Sequence, residues 1–121
     1  MGVTLHVCVT CRAGAAPEPD TPCAGARLHA ALLRHPCPDG VTIVAVECLS
    51  ACARGAAIAL SAPGHWSYVY GHMGADHAPD ILIGAAAYAC STDGLVPWRE
   101  RVEIFRKHSI ARIPPLKDVA S

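Results

Sequence analysis

Two cysteine pairs, Cys8-Val9-Thr10-Cys11 and Cys48-Leu49-Ser50-Ala51-Cys52, place the tightest condition on how this chain folds. CxxC and CxxxC are compact chelates, and four soft thiolates bind one centre only if both pairs converge on one point. Thirty-six residues separate Cys11 from Cys48, enough for a helix and a strand. Each pair follows a strand-like segment. If those strands lie side by side and parallel, the loops that carry the thiols leave the sheet at the same edge.

Local patterning agrees with that arrangement. Val3 to Val9 alternates and is rich in β-branched residues, so it reads as a first strand that ends at the first pair. Residues 13–22 have loop composition, with Gly14, Pro17, Pro19 and Pro22. Asp20 or Thr21 then caps a helix with Pro22 in its first turn, and Ala24, Leu28, Ala31 and Leu32 form its apolar stripe, which stops before Pro36. Val41-Thr42-Ile43-Val44-Ala45-Val46 reads as a buried strand. Two segments, 56–60 and 66–70, flank Ala62-Pro63-Gly64-His65 as a hairpin. Asp76 caps a second helix whose Ile81, Leu82, Ala85 and Tyr88 share a face. The expected order is β-α-β-β-β-α, an α/β thioredoxin-like domain over residues 1–95.

Residues 96–121 form a C-terminal extension packed on that domain and loose at its end. In it Trp98, Val102 and Phe105 line one side of an amphipathic segment, while Arg99, Arg101, Arg106 and Lys107 line the other. Ile113-Pro114-Pro115 ends regular structure.

Ten basic and ten acidic residues cancel, which argues against a nucleic-acid partner. Their distribution is uneven. Residues 1–98 carry four Lys/Arg against seven Asp/Glu, and residues 99–121 carry six against three. The basic end suits transient docking of a redox partner protein, and a homodimer is also compatible with the sequence. No apolar run approaches the roughly 20 residues of a membrane span, so no membrane association and a cytoplasmic location are expected.

Seven cysteines are odd in number for a closed disulfide set, and in a reducing compartment they point to metal or redox chemistry. Gly14 and Gly55 let backbone amides approach sulfur, and Arg12 and Arg54 add positive charge beside a thiolate-rich centre. The candidate ligands are Cys8, Cys11, Cys48 and Cys52. Zn²⁺ accepts the same donors as an iron–sulfur cluster. A thiol–disulfide pair is the further alternative, although Arg12-Ala13-Gly14-Ala15-Ala16-Pro17 is a poor helix start for that chemistry.

Leu5-His6-Val7-Cys8 and Cys48-Leu49-Ser50-Ala51-Cys52-Ala53-Arg54-Gly55 resemble the thioredoxin-like [2Fe–2S] ferredoxins. More broadly, the chain resembles an uncharacterised bacterial family of predicted metal-binding proteins associated with cobalamin-biosynthesis genes. The shared features continue through Pro63-Gly64-His65-Trp66-Ser67-Tyr68-Val69-Tyr70-Gly71, residues 94–101 and residues 111–115. The resemblance implies a [2Fe–2S] cluster and electron transfer without catalysis of its own. Cys11 departs from it, because the ferredoxins place their second ligand further from the first. Cys23 is therefore a rival ligand, while the compact CxxC favours Cys11.

Cys37 and Cys90 read as ordinary thiols. The histidines read as surface or satisfied side chains, with a second transition-metal site at His72, His77 and Asp76 as the sharper alternative. Trp66, Tyr68 and Tyr70 read as strand packing.

Overall fold

The computed structural model describes residues 2–9, 23–47 and 56–115. The elements are β1 (Val3–Cys8), α1 (Ala24–Leu33), β2 (Val41–Val46), β3 (Ala56–Ser61), β4 (Ser67–Met73), α2 (Ala78–Cys90), α3 (Glu103–Lys107) and β5 (Ser109–Ile113). Short 3₁₀ turns cover Ala75–His77 and Trp98–Glu100.

The strands form one open sheet in the order β2-β1-β3-β4-β5. β1 and β2 are parallel, in register from Val3↔Val41 to Cys8↔Val46, and the other neighbours are antiparallel. A parallel pair needs a crossover, and α1 supplies it. Leu5, Leu60 and Tyr68 face each other across β1, β3 and β4 and are buried. Leu28 and Leu32 of α1 and Ile81 and Tyr88 of α2 join them in one core. Thr4 and His6 alternate with the buried residues of β1 and are half-buried.

Several expectations change in detail. α1 begins at Ala24 with Cys23 at its N-cap position, while Asp20, Thr21 and Pro22 lie outside the described residues. Its expected stripe holds, since Leu28, Ala31 and Leu32 are buried and the helix ends before Pro36. Asp76 lies in the 3₁₀ turn that precedes α2, and His77 occupies the N-cap of α2 without a side-chain cap bond. Ile81, Leu82, Ala85 and Tyr88 are buried as their shared face requires.

The C-terminal extension contributes to the sheet. β5 pairs with β4 from Ser67↔Ile113 to Tyr70↔Ser109, and the strand ends at Ile113, directly before Pro114. Phe105 is buried and stacks on Tyr70 with ring centroids 4.1 Å apart. Trp98 does not share that inward side. It is 59% exposed, and the Arg101 and Arg106 guanidinium carbons lie 5.7 and 5.9 Å from its ring. Cation–π attraction gathers these residues on one surface.

Among the described residues no helix is long and apolar enough to cross a membrane.

Candidate metal centre

Because β1 and β2 are parallel neighbours, their C-terminal ends share one sheet edge. Cys8 is the last residue of β1 and is 1% exposed. The Val9 N–H donates to the Val46 carbonyl at 2.9 Å, which carries the pairing one residue past the strand. The Cys8 thiol reaches the Glu47 carbonyl at 3.5 Å, at the end of β2. In sequence, Cys48 follows Glu47 directly.

Cys23 comes to this edge from the other direction. As the N-cap of α1 its carbonyl accepts from the Arg27 N–H at 3.0 Å. Its thiol donates to the Val9 carbonyl at 2.8 Å. Cys8 and Cys23 are therefore both tied to the backbone where β1 ends, one buried and the other half-buried. Metal coordination would replace each thiol proton, since the thiolate is the ligand. The N-terminal end of α1 presents the positive end of its dipole there, which suits a negatively charged centre.

Cys11, Cys48 and Cys52 lie outside the described residues, as do Arg12, Arg54, Gly14 and Gly55. Of the candidate cysteines, the described residues include Cys8 and Cys23, whose thiols bond to the Glu47 and Val9 carbonyls at the ends of β2 and β1. Among the described residues no three His, Cys, Asp or Glu side chains are gathered around one point. Cys37 and Cys90 are exposed thiols, and Cys37 donates to the Val41 carbonyl at 3.0 Å.

The expected grouping of His72, His77 and Asp76 takes another form. The His77 Nδ1 accepts from the Gly74 N–H at 2.9 Å, and its Nε2 lies 4.0 Å from Asp76 Oδ2. The ring that meets His72 is that of His108, with centroids 5.6 Å apart, while His77 lies 6.4 Å from His108. Burial, followed by the nearby His72, His77 and Lys107, holds the pKa of His108 below the usual value. Sequence reasoning passed over His108 because nothing in its local pattern ties it to a residue on β4.

No curated protein and no solved structure matches this chain. The family model of DUF1636, described as a protein of unknown function, matches residues 5–115, and this chain belongs to that family.

Proposed function

We propose that this protein is a small [2Fe–2S] ferredoxin-like electron carrier of thioredoxin-like fold. The observation that carries the reading is that the Cys8 and Cys23 thiols are both bonded to backbone carbonyls where β1 and β2 end, at Glu47 and Val9, with Cys48 next in sequence after Glu47. The ligands proposed are Cys8, Cys48 and Cys52, with Cys23 rather than Cys11 as the fourth. Cys23 is favoured because its sulfur already lies one residue beyond Cys8, whereas CxxC compactness is all that supports Cys11. The element order from β1 to α2 is the β-α-β-β-β-α order of the fold invoked, which supports it further.

When bound, the cluster supplies one-electron transfer. The chain's own part is to present thiolates from a rigid sheet edge, with Cys8 shielded from water. Arg99, Arg101, Arg106 and Lys107 offer a basic surface for a redox partner protein. Service to cobalamin biosynthesis belongs to the same proposal and rests on the sequence resemblance, while a cytoplasmic location is proposed from the sequence pattern given above.

Zn²⁺ is the second reading, because four thiolates satisfy it equally well. Anaerobic purification separates the two. The expected product absorbs in the visible and holds about two iron and two sulfide per chain; colourless protein with stoichiometric zinc overturns the ferredoxin. Cys23→Ser is expected to abolish the cluster and Cys11→Ser to retain it, and the reverse result returns the fourth position to Cys11.

A further inference from the structure

We propose that His72 and His108 form a two-histidine site for a divalent borderline transition-metal ion of the zinc, nickel or cobalt class. These residues lie on different elements from Cys8 and Cys23, and the inference does not rest on the cysteine centre. Three observations carry it.

The first is ring geometry. An ion about 2.0–2.1 Å from one nitrogen of each imidazole lies roughly 3.2 Å from each centroid, so tetrahedral to trigonal angles put the centroids roughly 5–6 Å apart. The 5.6 Å between His72 and His108 falls in that interval.

The second is the backbone that aims His72. From Ile58↔Tyr70 to Ala56↔Met73, β3 advances two residues while β4 advances three, so β4 bulges at Gly71-His72. His72 has φ +53, the one non-glycine residue with positive φ among those described. Such a conformation is unfavourable for a residue that carries a Cβ and is retained where the surroundings enforce it. Here the Gly71 N–H donates to the His108 carbonyl at 3.0 Å, which ties the bulge to the residue whose ring faces His72. Bulges commonly re-aim side chains in this way.

The third is ligand availability. An imidazole nitrogen is a common donor to ions of this class. Lys107, the nearest cation in sequence, is engaged with Glu103 at 2.9 Å. His77 is not a third ligand. Its Nδ1 lone pair is taken by the Gly74 N–H, and its ring is too far from His108 for a shared ion at tetrahedral angles. Water would complete the coordination shell.

Titration of Zn²⁺ into the full chain at neutral pH, followed through imidazole ring-proton NMR signals, tests the site. The His72 and His108 signals are expected to shift together along one saturable curve, while those of His29 and His35 stay in place. In His72→Asn, which keeps a residue tolerant of the left-handed backbone, the His108 response is expected to be lost. Unshifted rings in the native chain overturn the proposal, as does an undiminished His108 response in His72→Asn. The native titration decides by itself if that variant does not fold.

Discussion

At His108 three imidazoles and Lys107 come close together, and the consequence is a pH-dependent stability. Burial leads in lowering its pKa from the ordinary 6.5, and the neighbouring His72, His77 and Lys107 act in the same direction. Just below pH 6.5 the unfolded chain therefore binds more protons than the folded one. The stability from keeping His108 neutral is complete above that value and is lost as pH falls through the folded pKa. Urea denaturation is expected to show a midpoint that declines as pH falls below about 6.5, and His108→Gln should flatten the decline. Parallel profiles for the two proteins would remove His108 from the account. Tyr88 shows the opposite case. Burial and Tyr68 push its pKa up to about 12, and its hydroxyl donates to the Trp66 carbonyl at 2.5 Å. That tyrosine was legible as a core residue from its place in the α2 stripe. The partner of its hydroxyl was not, because a carbonyl on a distant segment leaves no trace in local sequence.

Among the elements, α2 depends on a close approach that only glycine permits. A Cβ on Gly84 would meet the Phe105 ring, with Cδ2 at 2.8 Å, and Phe105 is itself held by its stack on Tyr70. Gly84→Ala gains about 0.5–1 kcal/mol of helix propensity, against about 1–3 kcal/mol for overpacking a filled core. The net expectation is a loss of about 1 kcal/mol, read as a lower urea midpoint at unchanged slope. Gly84→Ala combined with Phe105→Leu should lose less than the sum of the two single changes, because the smaller side chain relieves the clash. An unchanged or raised midpoint for Gly84→Ala would show that α3 moves aside without cost.

The β4 bulge and β5 were the least legible elements. β5 is exposed along its whole length, so it carries no buried alternation that would mark a strand. It exists by pairing with β4, and its Arg112 guanidinium carbon lies 4.8 Å from the Trp66 ring. Trp98 was misread for a related reason. Helical periodicity predicts which residues share a face only where the helix is continuous, and here a 3₁₀ turn and a separate α3 divide the segment.

Across the whole molecule, residues 1–95 and the segment after them share one core. Phe105 packs against Tyr70 of β4 and closes over Gly84 of α2, and β5 covers the edge of β4. A chain truncated after Leu95 would expose Tyr70 and leave β4 as an open edge. Its thermal unfolding is expected to be broad or strongly lowered relative to the full chain; a sharp transition near the full-length temperature would show that residues 1–95 fold independently.

The sequence by itself determined where β1 stops, which residues of α1 and α2 face inward, and the turn before β4, where Gly64 has φ +74. These follow from periodicity and turn chemistry acting over a few residues. It also offered Cys8, Cys11, Cys48 and Cys52 as candidate ligands, with Cys23 as the rival to Cys11. Only the tertiary structure decided that Cys23 lies against Val9, that His72 faces His108 and not His77, and that residues 109–113 form a strand. Each of those depends on hydrogen bonds or ring contacts between segments far apart in the chain, which form when the sheet and its helices close on a common core.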